Sequence, residues 1–143
     1  MTGTFTLVDS LALGDLQVFL GRAARVDEGS VRLIGGAGVL AVYVSVLHPA
    51  GLLDQSPTVL GLRTFALGAK GDFDAVVPVR SLLARIESAL EDSADATSEP
   101  VEVSLPMSVN TVTWAAITPP RGGWVAIDSV PSAVLEEAAR AGI

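Results

Sequence analysis

The order of predicted secondary-structure elements repeats once along the chain, and this repetition constrains the fold more than any other feature. Residues 4–66 predict a strand, an amphipathic helix and then three strands, and residues 73–127 predict the same order. A chain of 143 residues is long enough for one domain with a substantial core. We therefore predict a single domain over residues 1–143 that contains two pseudo-repeats.

The first pseudo-repeat is predicted from the spacing of its apolar residues. Thr4 to Val8 alternates polar and apolar residues, which is typical of a strand. Leu13 to Val26 carries apolar residues at intervals of three and four, which predicts an amphipathic helix. Three β-rich runs follow, at Ser30–Ile34, Val39–Leu47 and Val59–Leu67.

The second pseudo-repeat begins with a predicted strand at Phe73 to Val77. Pro78 can open the following helix, whose apolar periodicity continues to Leu90 and is the clearest in the chain. The polar run Ser93 to Pro100 predicts a flexible connector. The remaining predictions are strands at Val101–Leu105, Thr111–Ile117 and Trp124–Ile127, and a third helix over about 131–143.

Together these elements predict an α+β fold. We expect two mainly antiparallel sheets that are related by internal duplication and backed by two helices, with a C-terminal helix after them. The run Gly35-Gly36-Ala37-Gly38 predicts a tight hairpin between two strands, because glycine supplies the positive φ that such turns need. The other interpretation, a phosphate-binding loop, would require a helix directly after the glycines.

The composition indicates a globular chain. Hydrophobic residues make up 50% of the sequence and charged residues 17%, which is far from the composition of a disordered protein. The longest apolar run, Val39 to Leu47, is about half as long as a membrane-spanning helix. The N-terminus shows no signal-peptide pattern and the chain has no cysteine, so we predict a cytoplasmic protein that does not bind membranes.

The chain is acidic, with a net charge of −7. The acidic residues are spread along the sequence, and no two of the basic residues are adjacent. A field of this sign repels phosphate backbones, so nucleic acid is a disfavoured partner.

Few side chains are available for catalysis. The chain contains no cysteine, one histidine (His48) and one tyrosine (Tyr43). Nucleophile-elbow, phosphate-loop and metal-ligand motifs do not occur in the sequence. We therefore name no catalytic residue and expect no cofactor and no metal.

Three residues remain as candidates for acid–base or cation chemistry. His48 could act as a general base or ligand, but it has no Cys, His or carboxylate at ligand spacing, so a structural or exposed histidine is the favoured interpretation. Asp72 and Asp74 lie on the same side of an extended segment and could hold a cation or share a proton. The alternative for this pair is a solvated turn.

The run Pro119 to Trp124 is the best candidate for a binding loop. Arg121 and Trp124 belong to the residue types that are most enriched at binding hot spots. The structural alternative is a hairpin loop in which Trp124 caps the core and Arg121 stacks on its ring. Trp114, in the middle of a predicted strand, is expected to lie in the core.

The same run carries a resemblance to a protein family. Pro119-Pro120-Arg121-Gly122-Gly123-Trp124, followed by a helix that ends in Ala141-Gly142-Ile143, resembles the N-terminal half of an uncharacterised family from high-GC Gram-positive bacteria. The resemblance implies a longer chain with a further C-terminal segment. It implies no activity and no catalytic residues.

The duplicated order of elements is similar in topology to one domain of the sliding DNA clamps. In clamps two such units form paired sheets backed by two helices, and these helices carry many basic residues toward DNA. Here the predicted helices mix Arg22, Arg25, Arg80 and Arg85 with acidic neighbours, which would hold a phosphate backbone only weakly. The topology alone does not carry the function.

Three functional hypotheses follow. The first is a non-catalytic interaction or scaffold domain of a larger cytoplasmic protein. It binds a protein partner or the missing part of its own chain that is expected after residue 143, and it can form a homo-oligomer. The alternative is a clamp-like, nucleic-acid-associated subunit. The third is an enzyme or small-ligand binder that uses Arg121, His48, Asp72 and Asp74.

Overall fold

The structure is a computed structural model, and it describes residues 3–93 and 98–143. Two long helices, a C-terminal helix and a short 3₁₀ helix are combined with six strands. The helices are α1 (Ser10–Val26), α2 (Val79–Asp92), α3 (Ser132–Ala141) and the 3₁₀ helix Thr113–Ala116. The strands are β1 (Thr4–Leu7), β2 (Ser30–Gly36), β3 (Val39–Leu47), β4 (Val59–Ala66), β5 (Phe73–Pro78) and β6 (Val101–Ser104).

The strands form two antiparallel sheets. The larger sheet has four strands in the order β4-β3-β2-β5, and the smaller sheet pairs β1 with β6. A bridge between Leu7 and Leu67 connects β1 to the end of β4. The predicted α+β class, with two antiparallel sheets and a C-terminal helix, is confirmed.

The two halves of the chain exchange their first strands. Strand β5 opens the second half but pairs with β2 of the first half, and β1 opens the first half but pairs with β6 of the second. Helices α1 and α2 follow these exchanged strands and pack against each other. The connections β1-α1-β2 and β5-α2-β6 are therefore equivalent in order and in pairing.

The main core lies between the helices and the inner faces of the sheets. Asp9 caps α1, because its carboxylate accepts a hydrogen bond of 2.8 Å from the amide of Ala12. The apolar positions of both helices then face the sheets at helical spacing. The fully buried side chains include Leu13, Leu16 and Leu20 of α1, Leu82 and Ile86 of α2, and Leu33, Leu40 and Val42 of the larger sheet.

A second, smaller core covers the outer face of the larger sheet. Trp114 and Ala115 of the 3₁₀ helix pack on Ile34 and Tyr43. The Arg32 guanidinium donates a hydrogen bond of 2.8 Å to the carbonyl of Ala115, which holds the 3₁₀ helix against the sheet. Trp114 is therefore a core residue, as predicted, although it does not lie in a strand.

The second half departs from the predicted pattern after β6. The predicted strand Thr111–Ile117 is wrong, because a 3₁₀ helix occupies Thr113–Ala116. The predicted strand Trp124–Ile127 is also wrong, since this exposed run belongs to no helix or strand. In the described part of the chain, the three strands β2, β3 and β4 of the first half therefore have only β6 as a counterpart.

The departure has a physical cause at the end of β6. Pro106 lacks an amide hydrogen and so cannot donate to a sheet ladder at this point. Farther along, the amide of Val109 donates a hydrogen bond of 2.8 Å to the carbonyl of Val76 at the edge of the larger sheet. This contact leads the chain to the outer face, where burial of Trp114 outweighs the strand propensity of its neighbours.

The predicted connector Ser93–Pro100 is described only at its ends, since residues 94–97 lie outside the described part of the structure.

Within residues 3–93 and 98–143, none of the helices combines the length and the apolar character that crossing a bilayer would require.

Candidate functional site

Three of the predicted site residues lie together beside the turn between β2 and β3. Asp72, Asp74 and Arg121 line an open cleft of about 570 Å³, which we call the hairpin cleft. The other lining residues are Ile34, Gly35, Gly36, Ala37 and Phe73. His48 lies in a different pocket, so the four side chains named in the enzyme hypothesis do not form one site.

The predicted hairpin is confirmed and forms one wall of the cleft. Ala37 and Gly38 have φ values of 51° and 78°, so both central turn residues are left-handed, as in a type I′ turn. Gly35 allows the Phe73 ring to pack on the backbone, because a Cβ at this position would lie 2.3 Å from Phe73 Cε1. The interpretation as a phosphate-binding loop is wrong, since β3 and not a helix follows the glycines.

Asp74 is held by Arg32. Two hydrogen bonds of 3.0 and 2.7 Å join the Arg32 guanidinium to the two carboxylate oxygens. These bonds lower the pKa of Asp74, and the nearby charge of Arg121 acts in the same direction. Asp74 is therefore an ionised, structural partner of Arg32, and this contact also orients the guanidinium that holds Ala115.

Asp72 and Arg121 both lie close to Gly36 but form no ion pair with each other. Asp72 Oδ1 lies 3.3 Å and Arg121 Nη1 3.9 Å from the position that a Gly36 Cβ would occupy. The ion pairs of the described residues do not include these two side chains. The cleft thus presents one carboxylate and one guanidinium beside the same glycine.

His48 is held by residues that do not form a catalytic triad. Ser45 Oγ lies 2.6 Å from His48 Nδ1, and Asp27 Oδ2 lies 3.8 Å from the same nitrogen. A serine nucleophile and an orienting carboxylate would have to contact opposite ring nitrogens. Because Ser45 is also only 4% exposed, its hydroxyl positions the ring and does not face a substrate.

A pocket of about 500 Å³ lies beside His48, and one of its walls is Trp114. Asp54, the nearest acidic residue in sequence, does not contact the ring. Its carboxylate accepts hydrogen bonds from the amides of Ala50 and Ser56 and from the Ser56 hydroxyl, and these bonds lower the pKa of Asp54 to about 2. Asp54 therefore stabilises the loop that borders the pocket.

The predicted binding loop is exposed. Trp124 is 75% exposed, and its indole nitrogen donates a hydrogen bond of 2.7 Å to the carbonyl of Pro120. The structural alternative is wrong on both points: Trp124 does not cap a core, and Arg121 lies in the hairpin cleft. A role of Arg121 and Trp124 in binding stays a prediction.

The loop leads into a longer exposed stretch. Every residue of 120–143 is exposed, and we call this stretch the C-terminal segment. Its α3 helix carries Val134 and Leu135, which are 52% and 58% exposed. The other exposed large apolar residues of the segment are Trp124, Val125, Ile127, Val130 and Ile143.

The part of the chain that the structure describes contains no cluster of three or more His, Asp or Glu side chains that could hold a metal ion. Two residues that contact His48, Ser45 and Asp27, are not predicted from the sequence. The spacing of Ser45 and His48 at the end of β3 was the available signal for the first. Asp27 has no such signal, because only the packing of α1 places it there.

Comparison of the chain with curated proteins and with solved structures gives no match. A protein-family model, described as Domain of unknown function (DUF8010), matches residues 1–112. The match covers β1 to β6 and both long helices, with His48, Asp72 and Asp74. It ends before Trp114, Arg121 and the C-terminal segment. Since it spans most of the 143 residues, the chain belongs to this family of domains of unknown function.

Proposed function

We propose that the chain is a non-catalytic interaction domain of a larger cytoplasmic protein, and that the C-terminal segment is its binding element. One observation carries the proposal: residues 120–143 are all exposed, although they contain seven large apolar side chains, Trp124, Val125, Ile127, Val130, Val134, Leu135 and Ile143. Apolar surface of this density is typical of a protein-binding site.

The helix of the segment supports this proposal. Helix α3 has ten residues and no buried side chain. An isolated helix of this length is marginal in water, and packing of its apolar face normally stabilises such a helix. The gain from burying Val134 and Leu135 is therefore available to a partner.

The start of the segment supports it as well. Trp114 is buried on the larger sheet, and Arg121 lies in the hairpin cleft beside Asp72 and Asp74. These contacts fix the point where the segment leaves the domain. Trp124 follows directly after this point, so a partner would meet an aromatic anchor next to a folded surface.

The clamp-like alternative rests on topology alone. The exchange of β1 and β5 between the two halves is the observation that favours it. Against it, both arginines of α2 and Arg63 of β4 are occupied within the domain. Arg80 pairs with Glu28, Arg63 with Asp15, and Arg85 donates to Ser104. With a net charge of −7, such a surface would bind phosphates weakly.

A small-ligand site is the third candidate, and the convergence in the hairpin cleft favours it. Asp72 and Arg121 present opposite charges that do not neutralise each other by direct contact. A small zwitterion would complement this pair. The cleft is open and Asp74 is already engaged by Arg32, so we rank this candidate below protein binding.

The test is a capture experiment followed by reconstitution. The full chain, Trp124→Ala and the control Leu11→Asp serve as baits in native cytoplasm. Leu11 is 72% exposed in the first turn of α1, where an aspartate is tolerated. A retained protein is then purified, and its affinity for each bait is measured by calorimetry.

We expect Trp124→Ala to weaken binding at least about tenfold, as for a hot-spot residue, and Leu11→Asp to bind like the wild type. A partner that binds Trp124→Ala and a chain lacking residues 120–143 as tightly as the wild type would refute the proposal. So would the absence of any protein partner, the second copy of the chain included.

A further inference from the structure

The smaller sheet has an open edge at β6. Strand β6 pairs with β1 on one side, and no described residue pairs with its other side. The equivalent strand of the first half, β2, is extended by β3 and β4. The internal symmetry of the fold therefore leaves, next to β6, the place that β3 occupies next to β2.

The ladder between β1 and β6 shows which backbone groups face this edge. The amide of Leu105 donates a hydrogen bond of 2.7 Å to the carbonyl of Gly3, so these two residues form a hydrogen-bonded pair. Pairs alternate along an antiparallel ladder, so Val103 and Val101 bond to β1. The N–H and C=O groups of Glu102 and Ser104 therefore point to the open edge.

An independent contact supports this assignment. Thr6 is the partner of Glu102 in the register, and its carbonyl accepts a hydrogen bond of 2.8 Å from Gly68 on the side away from β6. Thr6 and Glu102 thus turn their backbone groups in opposite directions. The edge offers the pattern of donors and acceptors that an added strand would use.

A groove runs along the same edge. It has a volume of about 520 Å³ and lies between β6 and the second half of α2, with Arg85, Ser88 and Ala89 among its lining residues. Val101 and Val103 point toward the core side of β6. An added strand would therefore place every second side chain in this groove.

The chain itself contains a segment that fits this edge. Residues Trp124-Val125-Ala126-Ile127 are exposed, lie outside the helices and strands, and are rich in residues that favour strands. They are followed by Asp128 and preceded by Gly123, which suits a strand of about this length.

We infer that residues 124–127 of a second copy of this chain add as a strand to the open edge of β6. The added strand is antiparallel, as β3 is to β2, with Ala126 opposite Glu102 and Trp124 opposite Ser104, so that it exchanges hydrogen bonds with both outward-facing residues of β6. Val125 and Ile127 then lie next to Val103 and Val101 and enter the groove.

The second copy is the occupant because residues 124–127 of the same chain pair with no strand in the described part of this structure. Trp114 and Arg121, which precede these residues, lie on the larger sheet and in the hairpin cleft. Two chains that each donate residues 124–127 to the other form a closed dimer, in which both edges are covered. This inference rests on the proposed function, because it names the partner of the C-terminal segment.

The test uses the full chain and two proline variants. Glu102→Pro removes the outward amide of β6 but leaves the hydrogen bonds to β1, because that amide does not face β1. Ala126→Pro removes the opposite amide of the donated strand. Glu102→Ala is the matched control, since it shortens the same side chain and keeps the amide. Circular dichroism verifies that each variant is folded.

Sedimentation velocity over a concentration series measures the dimer. We expect the wild type and Glu102→Ala to dimerise, and each proline variant alone to dimerise at least about tenfold more weakly. An equimolar mixture of the two variants should form a heterodimer, because Glu102→Pro still donates its segment and Ala126→Pro still offers an intact β6 edge.

Three results would overturn the inference. One is a wild-type chain that is monomeric at every accessible concentration. Another is dimerisation that neither proline variant weakens. The third is a mixture of the folded variants that stays monomeric.

The outcomes also separate this inference from the proposed function. If the chain is monomeric but a different protein is bound and lost on Trp124→Ala, the proposed function stands and the inference fails. If the chain dimerises through other residues and nothing binds residues 120–143, both fail.

Discussion

The two tryptophans show how differently the two regions of this chain are built. Trp114 is 8% exposed and packs on the outer face of the larger sheet, whereas Trp124, ten positions later, is 75% exposed. The domain before residue 120 buries two clusters of apolar residues, although side chains such as Leu52 and Leu53 stay exposed, while the C-terminal segment buries none of its own. Similar residue types thus serve folding in one region and remain available for binding in the other.

The comparison shows that a high content of apolar residues does not by itself place a stretch of this chain in the folded core. The match to the family of domains of unknown function covers residues 1–112 and so coincides with the main core. The residues after it contact the domain through Trp114, which packs on the larger sheet, and through Arg121, which lines the hairpin cleft. We expect substitutions to affect the free energy of unfolding in the domain and association in the segment.

The largest contrast is expected for two leucines in helices. Leu16→Ala in α1 should lower the free energy of unfolding by about 2–5 kcal/mol, because Leu16 is fully buried and its removal leaves a cavity. Leu135→Ala in α3, which is 58% exposed, should change it by less than about 0.5 kcal/mol. Urea unfolding followed by circular dichroism measures both, and equal losses would contradict the division into two regions.

The tryptophans give the next largest contrast. Trp114→Ala should cost about 3 kcal/mol, at the lower end for a buried tryptophan because its cluster is small. Trp124→Ala should cost less than about 0.5 kcal/mol and weaken association instead. Thermal unfolding at a concentration where the chain is monomeric separates the two effects. A strongly destabilised Trp124→Ala would show that Trp124 belongs to the core.

A pair of glycines sharpens the comparison at the backbone. Gly35→Ala places a Cβ 2.3 Å from the Phe73 ring, which must shift and so disturb its stacking with Phe5, and we therefore expect a loss of about 1–3 kcal/mol. Gly122→Ala meets no atom within 4 Å and should leave the stability of the domain unchanged. Chemical unfolding of both variants tests this, and an unaffected Gly35→Ala would show that Phe73 does not pack on the hairpin as described.

The smallest expected effect depends on pH. The pKa of Asp74 is lowered in the folded state, so its ion pair with Arg32 stabilises the fold above the unfolded pKa of about 4, and this contribution is lost as the pH falls through the folded pKa. Because the Asp74 side chain is 51% exposed, the contribution should stay below about 1 kcal/mol.

Asp74→Asn should therefore be less stable than the wild type at pH 7 and equal to it in strong acid. Asp128→Asn is the matched control in the C-terminal segment, where the carboxylate contacts only its neighbour Ser129. Unfolding measured as a function of pH tests the pair. A constant difference between Asp74→Asn and the wild type at all pH values would contradict the ionic origin of the effect.

Local patterns were sufficient for most of the fold. The periodicity of α1 and α2 and the β-rich runs of β2 to β5 predicted these elements, because each element buries one face against the same core. The run Thr111–Ile117 misled for a physical reason: its alternation is typical of a strand, but Trp114 reaches an apolar surface that only the assembled sheet provides. Contacts between distant residues decide such a segment, and one sequence does not display them.

The candidate site shows the same limit. Asp72 and Asp74 were predicted as a pair, but the engagement of Asp74 by Arg32 depends on the register of β2 and β5. Arg121 reaches the cleft only because the preceding residues cross the outer face of the larger sheet. The exposure of Trp124 is likewise a property of the assembled chain.

The most direct test of the central claim is hydrogen exchange of the full chain, measured by mass spectrometry at a concentration where it is monomeric. The account predicts strong protection of the amides in β2, β3 and α1 and near-random-coil exchange over residues 120–143, since a ten-residue helix without packing is marginal. Protection of residues 124–143 comparable to that of β3 would contradict it, because the C-terminal segment would then be part of the folded domain and not its binding element.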